Sequence, residues 1–266
     1  MDDFDKVFEG NKESWNKRSE IHFDSDFYDN KTFLEGNTSL TEIELGELGD
    51  VKGKSLLHLQ CHFGQDTLSF ARMGAEVIGI DLSDKGIEYA NLLKEKSGLD
   101  AEFLVSNVYD LKDNLKGEFD IVFTSFGVLG WLPDLDKWAE IVSHFLKSGG
   151  TFYIAEFHPI VWTFDSKFEF LEYPYLKSEM IVDYSTSTYG DSSVEVSLRD
   201  YNWNHGLSEV VNALIKCGLK IESLNEHNFS PYPIFENGVE VSNGRFMVKG
   251  IENKIPLVYS IKAVKE

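Results

Sequence analysis

The stretch LLHLQCHFGQDTL, Leu56 to Leu68, holds residue types that could bind a metal ion or a cofactor. It contains two histidines, His58 and His62, the thiol of Cys61 and a single glycine, Gly64. A zinc site would need a second ligand pair at a set spacing, and no such pair follows downstream. Cys61 as a nucleophile would need a base with an orienting partner, and none is visible. The pattern therefore predicts no metal site and favours a cofactor-binding loop.

Composition and charge limit the partners that the chain can have. Hydrophobic residues make up 42% and aromatic residues 14% of the 266 residues, as in a globular protein. The formal net charge of −20 opposes binding to nucleic acids and to anionic membranes. Only two cysteines occur, and the first residues, MDDFDKVFEG, lack the basic and apolar regions of a signal peptide. We therefore expect a cytoplasmic protein that binds neither nucleic acid nor a membrane.

Strand patterns alternate with helical patterns between residues 54 and 157. Five short apolar runs read as buried strands, at 56–59, 76–80, 101–105, 119–125 and 151–157. Amphipathic segments with helical spacing lie between them. Short buried strands with helical crossovers are typical of a parallel sheet that has helices on both faces. The sequence thus predicts an α/β fold with a doubly wound sheet, followed by a helix at 207–217 and two late strand-like runs.

The first loop and the end of the second strand together form a candidate ligand site. In open parallel sheets, ligands bind beyond the carboxyl ends of the strands. The loop from Gln60 to Asp66 follows the first strand, and Asp81 ends the second, where a carboxylate can accept hydrogen bonds from ribose hydroxyls. This pair indicates an adenosine-containing cofactor and leaves NAD and S-adenosylmethionine open. Gln60 and His62 stand where a dinucleotide loop needs glycine and would crowd a pyrophosphate, which favours S-adenosylmethionine.

Two longer stretches resemble a known family. KSLLHLQCHFGQDTLSFARMGAEVIGIDLS resembles the first loop and second-strand acid of class I S-adenosylmethionine-dependent methyltransferases. FDIVFTSFGVLGWLPDLDKWAEIVSHFLKSGGTFYIAEFHP is similar to their fourth-strand and fifth-strand region. Within that family the chain resembles a branch with HLQCHFGQDT in place of the glycine-rich loop, and it carries His58 where an acid is common. The resemblance implies a Rossmann-like methyltransferase fold with a mostly parallel seven-stranded sheet and an antiparallel terminal hairpin.

The same resemblance implies a set of residues around S-adenosylmethionine and its product S-adenosylhomocysteine. The loop residues would surround the methionine and ribose portions, and Asp81 would hold the ribose hydroxyls. Residues after the second and third strands would contact adenine, and those after the fourth strand would lie near the transferred methyl group. Two residues of the N-terminal segment would close over the cofactor. The implied residues are Trp15, Arg18, Gln60, Cys61, His62, Gly64, Asp81, Leu82, Asn107, Val108, Ser125 and Phe126.

Two segments flank or interrupt the alternating pattern. Residues 1–50 are polar and helical with scattered aromatics, and we expect an arm that covers the active site of a methyltransferase domain at 51–266. Residues 158–204 break the rhythm, and eleven aromatic residues lie from Phe157 to Trp203. We expect this insertion to cap the substrate, with a plain surface covering as the alternative. His158 and His205 at its ends are candidate general bases, since histidine titrates near neutral pH.

The predicted function is transfer of a methyl group from S-adenosylmethionine to a small-molecule acceptor by in-line displacement. A hydroxyl or a protonated amine as acceptor needs a base, whereas an activated carbon or a thiolate does not. Two alternatives stay open. One is a non-catalytic or regulatory cofactor-binding module on the same fold, suggested by the altered loop. The other is an NAD-dependent oxidoreductase, which the crowded loop and the terminal hairpin oppose.

Overall fold

A seven-stranded sheet forms the centre of the molecule, which the computed structural model describes over residues 4–177, 179–242 and 244–266. Its strands are β1 (Ser55–Leu59), β2 (Glu76–Asp81), β3 (Glu102–Val105), β4 (Phe119–Ser125), β5 (Leu146–Phe157), β8 (Leu219–His227) and β11 (Val258–Lys265). Their order in the sheet is β3-β2-β1-β4-β5-β11-β8. Strands β1 to β5 pair in parallel, as short apolar strands with helical crossovers require. The predicted doubly wound, mostly parallel sheet is confirmed.

The terminal part of the sheet is antiparallel. Strand β11 pairs antiparallel with both β5 and β8, as the resemblance implied. The two late strands are not joined by a tight turn, because residues 228–257 lie between them. That connection contains a separate antiparallel pair, β9 (Gly238–Ser242) and β10 (Arg245–Val248), which was not predicted. A second small antiparallel pair, β6 (Ile181–Ser185) and β7 (Leu198–Asn202), lies within the insertion.

Helices cover both faces of the sheet. They are α1 (Phe4–Phe23), α2 (Asn30–Leu34), α3 (Glu42–Glu47), α4 (Gln65–Arg72), α5 (Asp84–Ser97), α6 (Leu111–Asn114), α7 (Leu135–Phe145) and α8 (Leu207–Lys216). Residues of α1 to α5 belong to one hydrophobic cluster and residues of α6 to α8 to another. Successive residues of β5 alternate between the two clusters, with Phe152 in one and Tyr153 in the other. No helix in the described ranges is both long and apolar enough to cross a bilayer.

The N-terminal helix and the insertion lie against each other. Helix α1 contacts both α5 and β7. Helix α5 begins directly after β2 because the Ser83 hydroxyl accepts a hydrogen bond from the N–H of Gly86 (2.8 Å). This cap fixes the turn that follows Asp81. The carboxyl ends of the parallel strands, α1 and the insertion thus meet on one side of the molecule.

Candidate active site

A cavity of about 720 Å³ lies at the carboxyl ends of the parallel strands. Gln60 after β1, Asp81 at the end of β2, Ser125 at the end of β4 and Phe157 at the end of β5 all line it. Residues of α1 and of the insertion complete its wall. The strand order reverses between β1 and β4, where open α/β sheets bind their ligands.

The loop after β1 keeps its glycine for a steric reason. Gly64 has a φ of +78°, and a Cβ there would lie 2.5 Å from a ring carbon of Phe103. Gln60 and His62 also have left-handed backbone, with φ of 58° and 53°. Such a conformation costs L residues roughly 1–2 kcal/mol. The loop therefore carries two side chains at positions whose backbone favours glycine, and the N–H of Cys61 holds it to the carbonyl of Ile80 (2.8 Å).

Asp81 joins this loop to the end of β2. Its Oδ2 accepts a hydrogen bond from the N–H of His62 (2.8 Å), and its Oδ1 accepts one from the N–H of Ser83 (2.8 Å). Burial raises the pKa of Asp81 to about 6, although the backbone donors oppose the rise. Each carboxylate oxygen has lone pairs for more than one donor. Asp81 therefore organises the loop and still presents hydrogen-bond acceptors to the cavity.

Gln60 carries a buried oxygen without a partner. Its Nε2 donates to the carbonyl of Val128 (3.0 Å), whereas its Oε1 is buried and bonds to no described atom. An unsatisfied buried acceptor costs roughly 1–3 kcal/mol. Because Gln60 lines the cavity, a ligand group that donates hydrogen bonds, such as an ammonium, would satisfy this oxygen.

His58 and Cys61 are buried and uncharged. The Nδ1 of His58 lies 2.8 Å from the hydroxyl of Thr67, and its Nε2 is buried without a partner. Burial lowers the pKa of His58 to about 3 and raises the pKa of the Cys61 thiol. A protonated thiol is a weak nucleophile. No cluster of three or more His, Cys, Asp or Glu side chains in the described part of the chain is placed to hold a metal ion.

His62 begins a chain of hydrogen bonds that reaches the insertion. The N–H of Phe63 donates to His62 Nδ1 (2.7 Å), so the bonding pattern assigns the His62 proton to Nε2. That nitrogen donates to His22 Nδ1 (3.0 Å), and His22 Nε2 donates to the Thr188 hydroxyl (2.5 Å). Burial lowers the pKa of His22 to about 3 and that of His62 well below its ordinary value, so both rings are neutral. This histidine relay ties the loop to α1 and to the insertion.

Helix α1 brings Trp15 and Arg18 to the cavity wall. Arg18 donates to both carboxylate oxygens of Asp200 in β7, with an Nη1–Oδ1 distance of 2.9 Å. The Ser14 hydroxyl donates to the same carboxylate (2.5 Å). The Arg18 guanidinium lies 5.3 Å from the Trp15 ring and 5.6 Å from the Trp131 ring. These contacts bind α1 to the insertion directly over the cavity.

The remaining residues predicted around the cofactor also line the cavity. The Oδ1 of Asn107 accepts a hydrogen bond from the N–H of Tyr109 (3.1 Å), which fixes the turn after β3. Phe126 packs against the ring of Tyr232 at 5.2 Å. Leu82 and Val108 lie in the wall with them. All twelve residues that the sequence implied are thus brought together at one cavity.

The two candidate general bases are placed differently. His205 lines the cavity, but its Nε2 donates to the carbonyl of Leu132 (2.7 Å) and its Nδ1 lies 3.2 Å from a Glu209 carboxylate oxygen. His158 is not among the described residues that line the cavity. Its Nδ1 accepts a backbone N–H, and its Nε2 lies 3.1 Å from Glu226. Of the two, the structure therefore brings only His205 to the cavity, where its Nε2 is bound to a backbone carbonyl and its Nδ1 is buried without a hydrogen-bond partner among the described residues.

Asp66 is a cavity carboxylate that was not predicted as a site residue. It lies in the first turn of α4, two residues after Gly64, and accepts hydrogen bonds from the hydroxyls of Ser39 (2.6 Å) and Ser125 (3.1 Å). Burial raises its pKa. Its position in the first helical turn beside the loop is the one sequence signal that points to it.

Glu156 is a second unpredicted carboxylate in the wall, and it is 4% exposed. It accepts hydrogen bonds from four backbone N–H groups, at 2.5 Å (Gly127), 2.8 Å (Val128), 3.1 Å (Leu129) and 2.6 Å (Phe157). Burial raises its pKa, and these donors oppose the rise. An acid inside the apolar run TFYIAEF is the sequence signal that could have identified it. Glu156 anchors the loop after β4 that borders the cavity.

Comparison with known proteins identifies the family. A family model described as "Methyltransferase domain" matches residues 50–200, more than half of the chain. The chain is similar to the ubiquinone biosynthesis O-methyltransferase of Pelagibacter ubique, with 25% identity over 76% of this chain and 77% of that protein. Proteins of the same name from Bordetella avium and Chromobacterium violaceum are 31% and 34% identical over 38% of this chain. These two alignments span 42% and 43% of the relatives' own length, less than half of each.

Solved structures share the fold over most of the chain. An S-adenosylmethionine-dependent methyltransferase from Clostridium acetobutylicum matches with a TM-score of 0.58 and 14% identity, over 94% of this chain and 98% of that one. A similar enzyme from Methanosarcina mazei matches with a TM-score of 0.56 and 20% identity, over 85% of this chain and 98% of that one. At these identities the likeness shows the fold.

The predicted fold and methyltransferase class are confirmed. The family match does not support the alternatives of an NAD-dependent oxidoreductase and of a non-catalytic module. The chain therefore belongs to the methyltransferase domain family, and it has the fold of the class I S-adenosylmethionine-dependent methyltransferases.

Proposed function

We propose that the chain transfers a methyl group to a small-molecule acceptor that binds in the cavity beside S-adenosylmethionine. The observation that carries this proposal is a cavity of about 720 Å³, bordered by the strand ends, α1 and the insertion. Small-molecule sites typically have volumes of roughly 300–1,000 Å³. The name shared by the relatives, ubiquinone biosynthesis O-methyltransferase, also favours a small-molecule acceptor.

The residues at the strand ends fit the cofactor, which supplies a methyl group activated by a sulfonium. Asp81 would accept the ribose hydroxyls with the lone pairs that its two backbone bonds leave over. The buried Oε1 of Gln60 would accept a hydrogen bond from the ammonium of the methionine portion. Leu82 and Asn107 would contact the adenine. Loop residues other than glycine fit this cofactor because it has no pyrophosphate that must approach the backbone.

The N-terminal arm (residues 1–50) and the insertion (158–204) would act as covers of the methyltransferase domain (51–266). Trp15 from the arm and Trp162 from the insertion line the cavity, and the Arg18–Asp200 pair joins the two covers. Closed covers exclude water and hold the two reactants in line, which can contribute several kcal/mol to catalysis.

The geometry favours a reaction in which the protein aligns the reactants and no histidine takes the proton. His205 Nε2 donates to the carbonyl of Leu132, and its Nδ1 is buried, without a hydrogen-bond partner among the described residues, 3.2 Å from a Glu209 oxygen. His158 is turned toward Glu226. We therefore expect His205→Gln and His158→Gln to retain most of the turnover. Loss of nearly all turnover in either variant, with the affinity for the cofactor unchanged, would show that this histidine takes the proton from the methyl acceptor.

Calorimetry with S-adenosylhomocysteine tests the cofactor site without an acceptor. We expect the wild type to bind, and Asp81→Asn to weaken binding by about 10- to 100-fold, because hydrogen bonds to a charged group contribute roughly 1.5–3 kcal/mol. Asp113→Asn is the matched control, since Asp113 is exposed and outside the described cavity wall. No binding to the wild type would refute the proposed function. Equal affinity in Asp81→Asn would place the ribose elsewhere.

A further inference from the structure

The cavity wall carries much more negative than positive charge. Among the described lining residues, Arg18 is the one lysine or arginine, and it is bound to Asp200. The carboxylates of the wall are Asp29, Asp66, Asp81, Glu156, Asp183 and Asp200. A cavity lined by one sign of charge attracts ligands of the opposite sign, and the net charge of −20 adds to this field.

Most of these carboxylates have protein donors that account for them. Asp29 caps the short helix α2 through the N–H of Thr32 (3.1 Å). Asp66 accepts hydrogen bonds from two hydroxyls, and Asp81 accepts them from two backbone N–H groups. Glu156 accepts hydrogen bonds from four backbone N–H groups. Asp183 differs because a single side-chain donor in the described ranges binds it. Its Oδ2 accepts a hydrogen bond from Asn202 Nδ2 (3.0 Å).

Asp183 lies on the insertion side of the cavity. It stands on β6 directly opposite Asp200 on β7, so two carboxylates face each other across the strand pair. Arg18 compensates Asp200, whereas none of the lysines and arginines in the described ranges forms an ion pair with Asp183. Burial raises the pKa of Asp183, the Asn202 bond lowers it and Asp200 raises it. Asp183 is thus a half-buried carboxylate without a counter-charge.

Aromatic side chains of the insertion line the same cavity as Asp183. Tyr173 lines the cavity, and its pKa is raised by burial and by the charge of Asp183. Trp162 and Phe164 belong to the same part of the chain and also line the cavity. Aromatic faces attract organic cations, and the attraction grows as water is excluded. An acid beside such rings suits an ammonium group on an organic ligand.

We propose that the methyl acceptor carries a protonated amine and that Asp183 binds this amine, with Asn202 holding the carboxylate in position. This inference rests on the proposed function. A cationic acceptor supplies the missing counter-charge, whereas an anionic acceptor would be repelled by both Asp183 and the rest of the wall. The bond to Asn202 leaves the other oxygen of Asp183 for the ligand. The proposal concerns how the acceptor is recognised and applies whichever atom receives the methyl group.

Calorimetry on protein saturated with S-adenosylhomocysteine tests this proposal with matched pairs of probes. Each pair contains an aryl amine and a neutral relative, such as tyramine with 4-ethylphenol and tryptamine with 3-ethylindole. We expect the amine of a pair to bind about 10- to 100-fold more tightly at neutral pH. Asp183→Asn keeps an oxygen for Asn202 and should abolish this preference. Asp191→Asn removes the same charge from the insertion outside the described cavity wall and should keep it.

Three outcomes would overturn the proposal. The first is equal binding of the amine and the neutral relative in every pair, and the second is no detectable binding of any amine up to roughly 10 mM. The third is an amine preference that survives in Asp183→Asn. The affinity for S-adenosylhomocysteine separates this proposal from the proposed function. Failure to bind it would refute the function, whereas normal binding without an amine preference would refute only the recognition by Asp183.

Discussion

The buried ion pair between Arg18 and Asp200 joins α1 to the insertion, and removal of one partner tests that connection. The two side chains are 9% and 6% exposed. In Arg18→Met, the Asp200 carboxylate keeps the Ser14 hydroxyl (2.5 Å) as its remaining side-chain partner. Methionine occupies much of the volume of the arginine stem, so the substitution mainly removes the charge and its hydrogen bonds.

The expected loss is large because a charge is left buried. Removing one partner of a buried ion pair costs roughly 3–5 kcal/mol, whereas replacing both by apolar residues is often neutral. Arg18 binds both oxygens of Asp200, so we expect Arg18→Met to lose about 3–4 kcal/mol of unfolding free energy. The double variant Arg18→Met/Asp200→Leu has no stranded charge and should lie within about 1–2 kcal/mol of the wild type.

Urea unfolding of each variant, extrapolated linearly to water, measures these free energies. Lys216→Met is the control, because Lys216 pairs with Asp136 at the same kind of distance (2.9 Å) but on the surface, where ion pairs contribute little. A loss in Arg18→Met no larger than that in Lys216→Met would refute the reasoning. A double variant less stable than either single variant would also refute it.

Three further substitutions test the steric role of Gly64, the lowered pKa of His22 and the anchoring of the loop after β4 by Glu156. In Gly64→Ala the new Cβ would lie 2.5 Å from the Phe103 ring, whereas in Gly98→Ala, where φ is +66°, the Cβ would have open space around it. Gly64→Ala should therefore lose roughly 1–3 kcal/mol more unfolding free energy than Gly98→Ala. Equal losses in the two variants would contradict the steric explanation. The pKa of His22 in the folded state is lowered from 6.5 to about 3. The contribution of His22 to the free energy of unfolding is therefore complete above pH 6.5 and declines as pH falls toward 3. The stability difference between wild type and His22→Gln, followed by urea unfolding, should therefore shrink by roughly 2 kcal/mol between pH 6.5 and about pH 5, and a constant difference would count against the lowered pKa. Glu156→Gln offers its four donors one carbonyl oxygen instead of a carboxylate, so calorimetry should show a fall in Tm of about 4–10 °C, and an unchanged Tm would remove its role as anchor.

The central sheet was predictable because its strands are buried on both faces. Such strands read as continuous apolar runs, and the predicted bounds of β4, Phe119–Ser125, coincide with those observed. The start of β5 was harder to predict. It was expected at Thr151 and lies at Leu146, because the strand continues through Ser148, Gly149 and Gly150, which read as a turn.

The two small strand pairs, β6–β7 and β9–β10, could not be predicted from the sequence pattern. Strand β9 has the sequence GVEVS and is mostly exposed, so its alternation of residue types is weak. Strands β6 and β7 lie within the aromatic insertion, where neither helical nor strand spacing dominates. Short exposed strands depend on tertiary contacts more than on local preference.

The residues at the strand ends could be predicted because topology brings them together. Once β1, β2 and β4 are parallel neighbours, their following loops must meet at one edge. The contacts that join α1 to the insertion could not be predicted in this way. Arg18 contacts a residue 182 positions away, and His22 contacts one 166 positions away. The direction of the His158 and His205 rings also depends on partners that only the packed fold supplies.

A crystal structure of the protein grown with S-adenosylhomocysteine tests the central claim most directly. We predict density for the nucleoside within the cavity under α1 and the insertion, with both ribose hydroxyls within hydrogen-bond distance of the Asp81 carboxylate. Density for the ligand outside this cavity, or inside it with the ribose turned away from Asp81, would contradict the account.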